Sequence, residues 1–489
     1  MNKRIILPIL LFLFFSLNIN SLFAQEAITM YNMRTLPQSS RLNPAFQTGY
    51  NGHFGGLLSI TPLFPAIDFS FNSNKLVYND IIYPGTGEFD GSLIWAFNSQ
   101  EEALKLVDKL EKINTFDLNL NLNLFNIGFK TKNIYWNIHA ANKTFVNMAI
   151  PGGLIELVVK GNRHPDITPN MDLSGLGVNM TNYLEFGVGA SMKVTADLTV
   201  GARFKALGGI ANIESTKTDL HLNSHEDTLT LAADLQFRSS QPALTLDSLY
   251  YDQVRDTFLV DYTERSTSEL ISDIGYKFNN PGFAIDLGAE YQIMPELKAY
   301  VSITDIGFIN WKTNVAEIRS ADEEFIFQGF DIQRYIDDNN PNTTEPNMGE
   351  EYQDSLLTLF DVKKTNTSSY KTWLPAKLYV GASYNLTDAI GFGALYRGVY
   401  YNGDMQSAIS LSANVNTNHI SATVSYTMME DNMDNIGLGF AGRFGPFQTF
   451  IISDHVLEEF WPQTARDVNI RLGFNWIFGY KKDKAALIE

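Results

Sequence analysis

Residues 116–130 read FDLNLNLNLFNIGFK. Leu118, Leu120, Leu122 and Leu124 alternate with Asn119, Asn121 and Asn123. Successive side chains of a strand point to opposite faces, so this period of two makes a strand with one apolar and one polar face. A single strand of this kind suits a soluble sandwich equally well. The decision rests on whether the pattern recurs and on what its polar face carries.

It recurs along the chain. TNYLEFGVGASMKV (181–194), LTVGARFKAL (198–207), GFAIDLGAEYQI (282–293) and LKAYVSITDIGFINW (297–311) all alternate. From Lys377 onward six more segments follow in quick succession, ending in VNIRLGFNWIF (468–478). Each is about the 9–11 residues that a tilted strand needs to cross a bilayer. The polar face carries Glu185, Lys193, Arg203, Lys205, Asp286, Glu290, Lys298 and Arg397 among Gly and Ser, whereas the other face is Leu, Ile, Val, Phe and Tyr. A water-facing lumen and a lipid-facing outside account for both, and short turns alternating with long polar loops fit the same architecture. The expected fold is all-β, an antiparallel transmembrane β-barrel of about 14 strands, with 16 as the alternative. At that size wall side chains do not fill the lumen, so it is plugged or open.

The first residues read as an export signal: basic Lys3 and Arg4, an apolar run from Ile5 to Phe15, and small Ala24 before Gln25. The expected division is a signal peptide over 1–24, a plug or hatch segment over 25–50, the barrel over 51–479 and a polar tail over 480–489. With no cysteine in the chain, disulfides, thiolate metal sites and cysteine nucleophiles are excluded together. A net charge of −18, more acidic once Lys3 and Arg4 leave, argues against nucleic acid as a partner, because phosphate binding needs clustered cations.

Four stretches are not strands. SQEEALKLVDKLEKI (99–113) has the period of a helix, with Ser99 as its cap and Glu101 and Glu102 in its first turn. GGLIELVVKGN (152–162) reads as a second, ended by Gly161. Two long loops are expected, near 239–272 and 320–370. The second is acidic, with ten acids against Arg334 alone between residues 322 and 354, and has helical spacing at DSLLTLF (354–360).

SRLNPAFQ, running from Ser40 to Gln47 with Ser39 before it, sits ahead of the barrel and carries Asn43, Pro44 and Ala45. Pro44 biases Asn43 away from helix, so this is a kink. Asn-Pro-Ala ahead of a barrel resembles the long-chain fatty-acid transporters and the type IX secretion shuttle barrels of Bacteroidota. The resemblance implies that the N-terminal segment folds into the lumen, with Asn43, Pro44 and Ala45 as plug or gating residues. LNPAF, FAIDLGAEYQI, ITDIGFINW, LYVGASYNLTDAIGFGALYRG, LSANVN and NIGLGFAGRFGPFQTFIISD look like an uncharacterised Bacteroidota outer-membrane β-barrel family, a domain of unknown function. RLGFNWIF, with Arg471, Gly473, Trp476 and Phe478 at fixed offsets, resembles the C-terminal signal read by the barrel-assembly machinery, although residues 479–489 continue past it.

Motifs for chemistry are thin. Gly437, Gly439 and Gly442 fit G-x-G-x-x-G but lie inside a strand pattern, without the following helix that a dinucleotide loop needs. His419 and Ser421 share one face of HISATVSY, as polar wall residues or, at most, a lipid-hydrolase pair. His221 and His225 sit four apart in a strand end and loop, where the helical geometry of a metal site is missing. No catalytic residues, metal ligands or cofactors are expected, and the chain is read as no enzyme. The leading reading is a plugged barrel of a Gram-negative outer membrane that passes hydrophobic or amphipathic small molecules. Its partners are then outer-membrane lipids, the assembly machinery and a hydrophobic small-molecule ligand. The alternative is a non-transporting scaffold or shuttle subunit with a secretion or assembly protein as partner, which the acidic loop favours. Lipid hydrolysis stands third.

Overall fold

The Leu/Asn alternation of residues 116–130 lies in a strand that runs from Ile113 to Thr131. A computed structural model describes residues 27–56, 66–85, 92–97, 100–160, 170–224, 229–240, 244–252, 257–264, 279–319, 325–327, 368–401, 403–429, 435–460 and 462–479. The signal peptide with its cleavage site, the DSLLTLF segment, His225 and the tail 480–489 lie outside these residues.

The fold is a closed antiparallel barrel of fourteen strands. Strand β1 is in two segments, Gly52–Gly55 and Ile67–Ser73. Then follow β2 (Ile113–Thr131), β3 (Ile134–Pro151), β4 (Gly177–Lys193), β5 (Leu198–Ser224), β6 (Asn280–Met294) and β7 (Leu297–Trp311). The second half is β8 (Ala376–Asn385), β9 (Ile390–Tyr401), β10 (Asp404–Asn416), β11 (Ile420–Met429), β12 (Asn435–Phe444), β13 (Phe447–Ser453) and β14 (Asp467–Phe478). Each strand pairs with the next, and β14 closes onto β1 with Gly52 opposite Phe478 and Ile67 opposite Leu472. Closure pairs the first strand with the last, as lipid requires because nothing there can satisfy a free N–H or C=O.

Side chains follow the pleat. In β14 the lumen side carries Asp467, Asn469, Arg471, Gly473 and Asn475, all buried, while Val468, Ile470, Leu472, Phe474 and Trp476 turn outward. Leu287, Val301, Leu411, Val424, Phe440 and Ile451 stand exposed on the outer face. Aromatic rings gather at both rims of this apolar band. Phe283, Phe308 and Trp373 pack edge to face at the long-loop end, with centroids 4.9 and 5.3 Å apart. Phe447, Phe474 and Trp476 cluster at the short-turn end with tilted rings, Phe447 and Trp476 4.3 Å apart. Two such girdles mark the interfaces of a membrane barrel.

Several expectations need correcting. The helix expected over 99–113 spans Gln100–Val107, because the chain turns at Asp108–Leu110 and Ile113 is drawn into β2 opposite Pro151. The second helix is present as expected, over Gly152–Lys160, and Gly161 lies outside the described residues. The stretch 239–272, expected as a loop, contains a two-stranded hairpin of Leu244–Asp252 with Thr257–Glu264. Ser239 and Ser240 end another strand, Leu229–Ser240, which pairs with the distal half of β5 and with Val315–Arg319 and Phe325–Phe327. The wall therefore continues beyond β7 as an antiparallel extension, seated on Tyr183, Leu207, Ile309, Trp311, Tyr370 and Leu374.

Leu411 lies at the middle of β10 and half of its surface is exposed on the outer face. Leu411→Arg is expected to lower the unfolding free energy in lipid vesicles by about 2–4 kcal/mol, against near-neutrality for Leu411→Phe. Denaturant titration of the refolded barrel measures this, and an unchanged midpoint for the Arg variant would show that the face does not meet lipid.

Candidate functional site: a segment seated inside the barrel

Residues 27–50 lie inside the wall, and almost every one is buried. The path is a set of tight turns dictated by its residues. A single helical turn, Ile28–Tyr31, is followed by a 3-10 turn, Pro37–Arg41, with Leu36 extended ahead of the proline as a residue before Pro prefers. The Ser39 and Ser40 hydroxyls donate to the carbonyls of Leu36 and Pro37. Asn43 then folds the chain on itself. Its Oδ1 accepts the Ala45 N–H at 2.9 Å, its carbonyl accepts the Phe46 N–H at 3.0 Å, and its Nδ2 donates to the Tyr31 hydroxyl at 3.2 Å. Side chain to backbone two residues on is the turn chemistry of asparagine, and Pro44 pre-sets the next dihedral.

This turn rests on two glycines. Gly201 of β5 and Gly288 of β6 are directly paired across the wall. A Cβ on Gly201 would strike the Pro44 carbonyl and the Ala45 nitrogen, and one on Gly288 would strike Asn43. Glycine inside a strand marks such close approach of another backbone.

One side of the segment is apolar and packs on the wall. Ile28, Met30, Tyr31, Met33, Leu36, Leu42 and Phe46 form one core with Tyr300, Tyr379, Leu395, Phe450 and Ile452. Tyr31 stacks on Tyr379 at 5.1 Å and meets Phe46 edge-on at 5.0 Å, while the Arg34 guanidinium covers the Phe46 ring at 3.5 Å. Burial pushes the Tyr31 phenol well above its usual range, so it stays neutral. Fully burying side chains of this size is worth about 1.5–3 kcal/mol each, which makes this core the main attachment.

Polar contacts fix the register. Arg203 donates to the carbonyls of Ser40 (2.8 Å) and Arg41 (3.3 Å), Ser302 to Leu42 (2.8 Å), and Gln448 to Thr35 (3.1 Å). Gln38 and Asn475 exchange two hydrogen bonds. The Thr29 N–H donates to Asp454 at 2.8 Å. Arg34 pairs with Glu290, and Arg41 reaches Asn123, one of the lumen-facing asparagines of the 116–130 strand.

Beneath Arg203 the lumen is crossed by a buried ionic lattice. Asp286 pairs with Arg203 at 3.1 Å and Lys205 at 2.9 Å. Asp305 takes Lys205 at 2.5 Å and Lys377 at 2.7 Å, and donates its own N–H to Asp286. Glu185 takes Lys143 at 2.9 Å and His139 at 2.8 Å. Asp305 is there because of a bulge: the β6–β7 register slips between Ile285 and Leu287, and Asp305 adopts φ +61°. Such a bulge re-aims a side chain, and aspartate tolerates the left-handed region.

The expected site residues divide accordingly. Asn43, Pro44 and Ala45 form the seated turn. Glu185, Arg203, Lys205 and Asp286 meet in the lattice, whereas Glu290 and Lys298 (3.3 Å apart) join Arg34 at the short-turn end. Arg397 is buried on its strand. Lys193 is exposed, because β4 ends there and the chain turns at Thr195–Asp197. Arg471, set in the expected terminal motif, is buried and pairs with Asp68 (2.9 Å) and Asp454 (2.6 Å). Gly473 faces the Phe450 ring, while Trp476 and Phe478 turn outward at the barrel's end. His419 lies in a turn and is exposed, and Ser421 donates to Asn416 rather than to His419. The glycines 437, 439 and 442 lie within β12. Lys143, Lys377, His139 and Asp305 were missed by sequence reasoning. Asp305 had a signal, two polar residues in a row (Thr304, Asp305) where alternation demands one.

Two cavities flank the seated segment. At the short-turn end one is lined by Asn32, Arg34, Tyr50, Asn414, Arg443 and Gln448. At the long-loop end the other is lined by Phe145, Tyr183, Leu374 and Tyr401, together with Lys143 and Lys377. Phe145 and Tyr401, on distant strands, meet edge to face across the lumen at 6.2 Å.

A closed barrel with paired rims, a lipid-facing apolar band and an internal N-terminal segment defines an outer-membrane-type β-barrel protein. The chain belongs to the family of unknown function DUF5723, whose profile matches residues 44–454. No curated protein matches it significantly. Among solved structures it is similar to the toluene transporter TbuX of Ralstonia pickettii, with 10% identity, 91% of this chain and 94% of that chain covered, and a TM-score of 0.41. It is also similar to a Pseudomonas aeruginosa FadL homologue (7%, 88% and 89%, 0.32) and to the translocator domain of autotransporter NalP from Neisseria meningitidis (8%, 93% and 99%, 0.33).

Gly201→Val is expected to unseat the Asn43–Pro44 turn while leaving the wall closed. Hydrogen exchange of residues 27–50 should accelerate by roughly tenfold or more, the equivalent of about 1.4 kcal/mol of lost local stability. Unchanged protection there would show that the glycine pair is not the seat.

Proposed function

We propose that this barrel lies in the outer membrane of a Gram-negative bacterium of the Bacteroidota kind and passes hydrophobic or amphipathic small molecules, with residues 27–50 as its gate. The observation that carries the reading is the long-loop cavity. Its lining combines aromatic Phe145, Tyr183 and Tyr401 with Lys143 and Lys377, which suits a molecule with an apolar body and a polar head. Binding sites of this mixed kind place a few polar groups in an apolar cleft to fix orientation. Beyond the cavity the lumen is shut by the ionic lattice and the seated segment, so passage needs the segment to move. Asn43, Pro44 and Ala45 act as the gating turn because their seat is steric as well as hydrogen-bonded. In the same proposal Arg471, Gly473, Trp476 and Phe478 form the signal read by the barrel-assembly machinery, and outer-membrane lipids contact the apolar band.

One observation favours a second reading, a non-transporting scaffold or shuttle subunit with a secretion or assembly protein as partner. The lattice of Asp286, Asp305, Glu185 and their cations spans the lumen and ties the segment to the wall.

Uptake of a fluorescent long-chain fatty acid into a host lacking its own uptake barrel separates the two. Transport predicts that the folded barrel raises uptake, that Gly201→Val raises it further, and that Phe145→Arg lowers it. Equal uptake with and without the barrel, once heat-modifiable gel mobility has shown it to be folded, would sink the transport reading.

A further inference from the structure

At the long-loop end, His455, Glu458 and Asp467 bring an imidazole nitrogen and two carboxylate oxygens within 4.8 Å of one another. They come from the two ends of the segment joining β13 to β14, and backbone contacts hold them there. The His455 N–H donates to the Ser453 hydroxyl at 3.0 Å. Glu458 Oε2 accepts the N–H groups of Arg466 (2.8 Å) and Asp467 (2.7 Å), which draws the segment's end back onto its start. The three donors are thus set by the loop's own fold rather than by chance meeting of long side chains.

A second observation lies beside them on other strands. Asp467, Asn72 and Asp117 form one row across β14, β1 and β2, with Asn72 paired to both neighbours. Strand partners in register share a face, so all three project into the same space. Asn72 is 6% exposed and Asp117 0%, and Asn72 Oδ1 and Asp117 Oδ2 have no hydrogen-bond partner among the described residues. The other Asp117 oxygen accepts from Asn147 at 2.7 Å. Arg471, the cation nearest in β14, is engaged by Asp68 and Asp454. A carboxylate that stays charged when buried is paired with a cation or coordinates a metal, and otherwise takes up a proton.

We propose that His455, Glu458 and Asp467 bind one divalent transition-metal cation of the Zn²⁺ type, with Asn72 and Asp117 bordering the ligands without touching the ion. One imidazole with carboxylates suits Zn²⁺ and its neighbours, whereas Ca²⁺ takes oxygen ligands alone. The cation would also tie down the loop that carries Asp454, the acceptor for Thr29 at the start of the seated segment.

The test uses the full-length barrel folded in detergent, stripped with EDTA and titrated with ZnCl₂ by calorimetry. One saturable equivalent is expected. His455→Ala and Asp467→Asn should each weaken it by more than the roughly 10–100-fold that loss of an outer-shell partner causes, and Asp117→Asn should fall within that range. Heat-modifiable gel mobility checks folding, and His455→Gln serves if either variant fails to fold. Absence of a saturable equivalent, an equivalent that survives loss of His455, or tighter binding of Ca²⁺ than of Zn²⁺ would each overturn the site.

Discussion

The pairing of β14 with β1 is the constraint from which the rest follows. In a bilayer, a strand edge with free N–H and C=O groups has no partner, so the sheet must close on itself. Fourteen strands enclose more space than wall side chains can fill. That space needs an occupant, and here the chain supplies its own, residues 27–50. The occupant reaches the closure point directly. Gln38 bonds Asn475 on β14, and Asn51, at the segment's end, donates to the carbonyl of Phe478, the last residue of that strand.

An internal segment of this kind brings backbone polar groups into a confined space, and they must be satisfied as in any interior. Arg203, Ser302 and Gln448 do this from the wall. Arg203 is charged and buried, so it needs Asp286, which also takes Lys205, which also takes Asp305. The lattice is in this sense a consequence of seating the segment. A buried pair of this kind does little for net stability, but removing one partner leaves an uncompensated charge and is strongly destabilising. The lattice therefore resists piecemeal change, and any opening movement must carry the backbone of residues 40–42 away from Arg203 as a unit.

Much of this was legible in the sequence where period-two alternation is clean. In β4 and β6 the alternate residues Glu185, Asp286 and Glu290 sit on the lumen side because the pleat permits nothing else. Alternation misleads where a bulge shifts the phase. In β2 the register slips between Asn123 and Phe125, so the lumen face passes from odd to even numbers and Asn126 turns inward. In β7 the same event delivers Asp305. Length was misread where helix and strand compete at a boundary, as at Ile113.

By itself the sequence determined the strand alternation, the closed barrel that follows from it in lipid, and the turn at Asn43–Pro44, because these depend on neighbours a few residues apart. Only the tertiary structure decided that the turn sits on Gly201 and Gly288, that Asp286 takes Arg203 and Lys205 rather than Lys298 and Arg397, and that His455 and Asp467 converge. Each of these joins residues between 12 and 245 positions apart. Which of them meet is set by strand register and by bulges, and a register is a property of two strands that neither carries alone.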